Sequence, residues 1–230
     1  VVLLEARDLH KVYDTRGVLT PALAGVHLVV GEGEFTALAG PSGSGKTTLL
    51  NLLGALDEPS AGEVILDGER LSELRPRALA DLRLRKLGFV FQAYNLIPVF
   101  SARENVEFVM QLQGLRQEVR RERAETLLEA VGLAELADKR PLEMSGGQQQ
   151  RVAVARAIAS HPRVVLADEP TANLDSETAR KLLDLMQRLN EERGITFLFS
   201  THDPLVMEVA RRLVRLQDGR VISDEARTAA

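Results

Sequence analysis

The chain has 230 residues, 45% hydrophobic and 27% charged, which suffices to bury a full core within one domain and lies far from disordered or collagen-like compositions. Its 29 basic and 33 acidic side chains leave a net charge of −4, so no global basic field draws it to nucleic acid or anionic lipid, and no nucleic-acid partner is expected. The lack of cysteine excludes disulfides, thiolate metal sites and cysteine nucleophiles.

Residues 3–13 are rich in β-formers, 21–30 lead into a second strand, and Gly31-Glu32-Gly33-Glu34 turns the chain into a third at 35–39. Apolar runs such as 1–4 and 195–199 fall far short of the roughly 20 residues that a membrane helix needs. Glu5, Arg7, Asp8 and Lys11 precede any apolar stretch of signal-peptide length, which reads as a cytosolic protein. After a glycine-rich loop, 46–56 carries Leu49, Leu50, Leu52 and Leu53 as a helix, and 63–66 returns as a strand. Between 75 and 160 the pattern turns helical, with helices at 77–86, 101–113, 117–131 and 146–159 and one strand at 87–91, as in an inserted helical subdomain. A strand at 163–167, a helix at 175–192, a strand at 195–200 and a helix at 204–211 follow. This alternation predicts an α/β fold with a mostly parallel sheet covered on both faces. Leu174, Leu182, Leu185, Met186 and Leu189 read as one helix's core stripe, and the mixed charges at 116–125 as a solvated face.

Gly40-Pro41-Ser42-Gly43-Ser44-Gly45-Lys46-Thr47 satisfies the phosphate-loop pattern between a strand and a helix. Glycines let backbone N–H groups curl around phosphates, the helix N-terminus adds positive potential, Lys46 bridges the phosphates, and the Thr47 hydroxyl ligates Mg²⁺. Thr48, next in the same turn, joins the expected nucleotide contacts. The strand at 163–167 runs into Asp168 and Glu169, which suit two jobs: Asp168 in the Mg²⁺ shell and Glu169 polarising a water for attack on the γ-phosphorus.

Met144-Ser145-Gly146-Gly147-Gln148-Gln149-Gln150-Arg151, followed by Val152-Ala153-Val154-Ala155-Arg156-Ala157, resembles the signature of ATP-binding cassette (ABC) ATPases, with Met144 where the family usually has Leu. In order and spacing Tyr13 looks like the adenine-stacking aromatic, Gln92 like the glutamine-loop residue that also reaches the metal, Asn173-Leu174-Asp175 like the D-loop, and His202 like the switch histidine. Asp175 can equally be a helix N-cap, or both. The resemblance covers nearly the whole chain and implies one ABC ATPase domain over 1–230. Its parts are a P-loop NTPase core with an N-terminal antiparallel β-subdomain, about 1–75 and 160–230, and a helical subdomain, about 93–159.

It further implies an ATPase with ATP and Mg²⁺ as cofactors, working as a homodimer or with a paired ABC subunit. Each ATP would lie between one subunit's phosphate loop and the other's Ser145, Gly146, Gly147 and Gln148. Within the family, Gly88-Phe89-Val90-Phe91-Gln92, Asn95-Leu96-Ile97-Pro98 and Glu104-Asn105-Val106 look most like the lipoprotein-release and macrolide-export branch. Ala172 stands where many relatives have Gly, and Phe199-Ser200 replaces a commoner Val-Thr. That branch implies an integral membrane permease of the FtsX-like type as partner, and a cytoplasmic, peripheral position on the inner face of the cell membrane. The work done would be export, extraction of a lipoprotein or lipophilic substrate, or mechanotransmission. A coupling helix would dock on 92–104, where Tyr94, Leu96, Ile97 and Phe100 are unusually apolar for a loop, although core packing accounts for some of them equally well. A membrane-associated scaffold of the cell-division kind is the alternative. A small-molecule kinase leaves Ser145 to Gln148 without a purpose.

Overall fold

The computed structural model describes residues 1–227. Strand β1 (Val2–Thr15) pairs antiparallel with β2 (Val18–Gly31) on one side and β4 (Ala61–Leu66) on the other, and β5 (Glu69–Arg70) closes the order β2-β1-β4-β5. Alternate residues of these strands turn one way: Leu4, Ala6, Val26, Leu28, Val30, Val64 and Leu66 are buried, and their neighbours face solvent or lie at the margin, except Leu3, which is buried as well.

The second sheet has the order β10-β9-β3-β8-β7-β6, built from β3 (Phe35–Ala39), β6 (Leu87–Val90), β7 (Val164–Asp168), β8 (Thr196–Thr201), β9 (Arg212–Gln217) and β10 (Arg220–Ala226). The pairings β6/β7, β7/β8, β8/β3 and β3/β9 are parallel, and only β10 runs antiparallel. Every residue of β3 and β8 is buried, as strands covered on both faces must be. Phe35, Ala37, Val165, Phe197 and Phe199 enter one apolar cluster, and Leu38, Val164, Leu166 and Leu198 enter the other.

Helices α3 (Ala102–Leu112), α4 (Gln117–Ala130), α5 (Gly146–Ile158), α6 (Ser176–Arg193) and α7 (Pro204–Val209) supply the first cluster, through Val106, Met110, Leu128, Val154, Leu185 and Val206. The second lies between the sheet, α1 (Lys46–Leu53) and the β-subdomain. The fold is thus α/β, a mostly parallel sheet with an antiparallel N-terminal β-subdomain and a run of inserted helices.

Four expectations are corrected. Helix α2 (Pro76–Lys86) packs Leu79 and Leu82, one helical turn apart, into the cluster under the β-subdomain, so the helical stretch from 75 to 160 is not one packing unit. Helix α1 stops at Leu53 because Gly54 caps it and Ala55 takes a left-handed φ of 53°. Leu174 sits in the turn before α6 and packs against the core from there. Helix α7 ends at Val209, and the chain enters a hairpin, β9–β10, that the sequence reading passed over. Its turn carries the Asp218-Gly219 pair, with φ of 48° and 72°, the combination a tight hairpin requires.

Candidate active site

The phosphate loop joins the C-terminal end of β3 to α1, so its backbone N–H groups and the helix N-terminus face the same side. Gly45 is the N-cap of α1 with φ of 99°, and a Cβ there would come 2.6 Å from the Ala22 carbonyl oxygen. At Gly40 a Cβ would come 2.2 Å from the Leu216 carbonyl oxygen. The loop is therefore wedged between β2 and β9, and only glycine fits at these two points. From the β9–β10 turn, the Gly219 N–H donates to the Ser44 carbonyl at 3.1 Å and braces the loop from behind. Lys46 is 6% exposed, and its ammonium donates to the carbonyls of Gly40 at 2.8 Å and Pro41 at 2.9 Å, which fixes its charge over the loop.

At the ends of β7 and β8 the acids converge. The Thr47 hydroxyl donates to Asp168 Oδ1 at 3.1 Å. Glu169, at a left-handed φ of 46°, donates its N–H to the Ser200 carbonyl, and this turn swings its carboxylate toward the neighbouring strand. There Glu169 Oε1 lies 2.7 Å from His202 Nδ1, and Oε2 accepts the His202 N–H at 3.3 Å. A cleft of about 600 Å³ brings Lys46, Thr47, Thr48, Gln92, Glu169 and His202 together with the loop residues Pro41, Ser42, Gly43 and Gly45.

Other sequence-predicted residues stand apart from this cleft. Tyr13 is on β1, its hydroxyl donating to Asp57 Oδ2 at 3.0 Å and its ring 4.9 Å below the Lys11 ammonium. Burial pushes the Asp57 carboxyl up, but bonds from Lys11, the Glu58 N–H and Tyr13 outweigh it and hold the group below its ordinary range. Ser145 opens α5 in a reciprocal cap: its hydroxyl accepts the Gln148 N–H at 3.3 Å, and Gln148 Oε1 accepts the Ser145 N–H at 2.8 Å. Asp175 caps α6 by accepting from the Thr178 N–H at 3.0 Å and hydroxyl at 2.7 Å, and these bonds lower its carboxyl pKa.

The signature glycines are tight against the loop carrying Tyr94 and against the first turn of α6. A Cβ at Gly146 would lie 2.7 Å from the Tyr94 hydroxyl, and one at Gly147 2.3 Å from Thr178 Cγ2. Asn173 Nδ2 donates to the Gln92 carbonyl at 2.8 Å, linking the segment before α6 to the cleft. Sequence reasoning missed the Arg156 guanidinium, which donates to the Tyr94 and Asn95 carbonyls from α5, and the Gly219 brace. The second was signalled by Asp218-Gly219; the first had no signal, because its acceptors are backbone atoms. The apolar residues predicted on the 92–104 surface, Tyr94, Leu96, Ile97 and Phe100, are all half-buried, with Phe100 and Phe108 rings 5.7 Å apart, whereas Val99, which was not among them, stands 69% exposed.

A glycine-rich loop and helix N-terminus facing a Thr–Asp pair and a Glu–His pair define a P-loop ATPase. Residues 23–172 match the family described as ABC transporter. The chain is 49% identical over 226 residues to the macrolide export ATP-binding/permease protein MacB of Syntrophobacter fumaroxidans, covering 97% of this chain but 32% of that one, so it spans about a third of that relative. It is 49% identical over 222 residues to the lipoprotein-releasing system ATP-binding protein LolD of Anaeromyxobacter dehalogenans, covering 96% of this chain and 93% of that one. Among solved structures, the dimeric post-hydrolysis state of the ATP-binding cassette MJ0796 of Methanocaldococcus jannaschii, bound to ADP and Pi, superposes with a TM-score of 0.90 at 42% identity, over 97% of this chain and 98% of that one. The chain belongs to the ABC transporter family, as an ATPase cassette.

Proposed function

We propose that this chain is the ATP-hydrolysing subunit of a transporter whose membrane permease is a separate protein of the FtsX-like type, and that two cassettes close head to tail around ATP. One observation carries this: the two phosphate-binding elements of the chain, the loop at 40–48 and the α5 N-terminus at 145–148, do not line a common cleft. A second copy completes each site. Among the described residues no helix is long and apolar enough to cross a membrane. The position is the cytoplasmic face of the cell membrane, and the work is export, lipoprotein extraction or mechanotransmission. Residues 93–159 act as the helical subdomain that carries the signature.

Within the site, backbone N–H groups from Gly43 and Gly45 to Thr48 and the Lys46 ammonium hold the β- and γ-phosphates, and Tyr13 packs on adenine. The donors suit a hard cation: the Thr47 hydroxyl already meets an Asp168 oxygen at 3.1 Å, and Gln92 adds an amide oxygen. When bound, that ion neutralises charge developing on the phosphate oxygens. Glu169 takes the proton of a water whose oxygen bonds to the γ-phosphorus as the bond to the ADP oxygen breaks. His202, held through its Nδ1 and its backbone N–H by the two Glu169 oxygens, keeps its other ring nitrogen available to bond the γ-phosphate. Ser145, Gly146, Gly147, Gln148 and Asp175 serve the partner's nucleotide.

Size-exclusion chromatography of Glu169→Gln tests the closure. With Mg-ATP the variant should elute as a dimer and with EDTA as a monomer. A monomer under both conditions contradicts the proposal.

A further inference from the structure

One buried stripe of α5 runs through Gly147, Gln150, Val154, Ala157 and Ile158, at the three- and four-residue spacing of a helix face. Gln150 is its polar member. The side chain is fully buried, and its Nε2 donates to the Pro170 carbonyl at 2.8 Å. Its Oε1 is buried too and has no donor among the described residues. An amide in that place costs stability, because its acceptor is desolvated without return, whereas an apolar side chain of the same length would pack there without that loss. Stability therefore does not account for Gln150, and the one bond it makes leads to the turn that carries Glu169.

Pro170 follows Glu169, whose φ of 46° is left-handed, a conformation that is strained in a residue with a side chain and persists only where its surroundings hold it. Three of those holds come from the sheet and from the turn itself. The Glu169 N–H donates to the Ser200 carbonyl, the Ala172 N–H closes the turn on the Glu169 carbonyl at 3.2 Å, and Thr171 Oγ1 donates to Asp203 Oδ2 at 2.6 Å, beside His202. The fourth is Gln150. Among the described residues it makes the only hydrogen bond between α5 and residues 169–175. The other side-chain donors of α5, on Gln149, Arg151 and Arg156, reach the carbonyls of Met144, Val131, Tyr94 and Asn95.

We infer that Gln150 is a positioning residue for hydrolysis: through the Pro170 carbonyl it fixes the turn that aims the Glu169 carboxylate, and so ties the base of one site to the helix whose N-terminus serves the other. The second half of this rests on the reading of the site as shared between two chains. One turn earlier, Gly147 packs against Thr178, a Cβ there coming 2.3 Å from its Cγ2. Helix α5 thus meets the stretch 169–178 at two points, and a movement of its N-terminus reaches Pro170. Gln150 touches neither nucleotide nor water in this role; it acts through Glu169.

Gln150→Met tests this, because Met matches the amide in length and fills the stripe without a donor. The melting temperature should hold or rise, since an unsatisfied acceptor leaves the core. ATPase kinetics should show kcat down by about five- to tenfold, the rate equivalent of one hydrogen bond, with KM for ATP within about twofold. Gln150→Leu repeats the measurement if the Met variant melts early, and failure of both to fold would give the amide to the fold and overturn the inference. Mixed dimers then show which site is affected, with the natural chain paired with Glu169→Gln as reference. Paired with Glu169→Gln, a Gln150→Met chain supplies the one working base, and turnover should fall by the same factor. With both substitutions on one chain and a natural partner, the working base is the partner's, and turnover should equal the reference. A deficit in the second pairing alone would assign Gln150 to the signature and overturn the inference, as would an unchanged kcat or one that changes only with KM. Absence of mixed dimers in tagged pull-down with Mg-ATP would contradict the shared site instead. In that case, or with an inactive reference, the split between kcat and KM decides whether Gln150 positions Glu169.

Discussion

Replacing Glu169 with Gln separates chemistry from binding more cleanly than any other change in the cleft. The Gln side chain keeps the volume and one acceptor oxygen, so the His202 N–H retains its partner, but the group loses its charge and its ability to take a proton. Removing a general base costs about 10²- to 10⁴-fold in turnover, which corresponds to about 2.7–5.4 kcal/mol of transition-state stabilisation. The structural loss is far smaller. The His202 side chain is 68% exposed, so its bond to Glu169 is largely solvated and contributes less than about 1 kcal/mol, or a few degrees of melting temperature. Single-turnover hydrolysis, nucleotide titration and thermal melting on one preparation should therefore show kcat down by at least about 100-fold, ATP affinity within about threefold, and melting nearly unchanged. His202→Ala should lower kcat in the same direction, and the double variant should lose little beyond Glu169→Gln alone, because the pair acts as a unit. A Glu169→Gln protein that keeps more than about a tenth of its turnover, or loses affinity in step with turnover, would refute the assignment of the base.

Lys46→Ala removes an ammonium bonded only to loop carbonyls; calorimetric titration should show ATP affinity down by about 10- to 100-fold, with the melting temperature little changed. Gly147→Ala places a Cβ 2.3 Å from Thr178 Cγ2, so the start of α5 must shift; overpacking of about 1–3 kcal/mol predicts a melting temperature lower by about 3–10 °C by calorimetry. Arg212 bonds Asp224 Oδ1 at 2.7 Å and Oδ2 at 2.6 Å and depresses that carboxyl. Because the folded pKa is below the unfolded one, the contribution is whole above about pH 4 and is lost as pH falls through the depressed value. Melting curves between pH 6 and pH 3 should therefore converge for the natural chain and Asp224→Asn at the acid end and differ above it.

What could be read from the sequence was what repeats along it or sits in a contiguous motif. The alternation that sends Val165 and Ala167 one way and Val164 and Leu166 the other marks β7 as a strand with two covered faces, and the loop at 40–47 carries its own context. Asp175 illustrates a residue whose local role was legible, since an Asp before a helix caps it, and the structure places that cap. Illegible were the features set by packing at a distance. That a Cβ at Gly146 would press on the Tyr94 hydroxyl and one at Gly147 on Thr178 Cγ2 depends on residues 52 and 31 positions away in the chain, and nothing in the local pattern encodes that crowding. Arg156 looked like one more residue of the signature helix, because the carbonyls it holds carry no residue identity. The β9–β10 hairpin is different: its Asp-Gly turn was visible, and the arginines that open β9 obscured the alternation that follows it.

The account turns on a site shared between two chains, and mixing two inactive variants tests it directly. Lys46→Ala spoils the phosphate loop and Ser145→Arg spoils the signature, so each homodimer carries one defect in both of its sites. A mixed dimer collects both defects in one site and leaves the other with an intact loop from one chain and an intact signature from its partner. ATPase activity should reappear on mixing, in proportion to mixed dimers counted by tagged pull-down. Mixed dimers that form in quantity and show neither activity nor Mg-ATP-dependent closure would contradict the shared site.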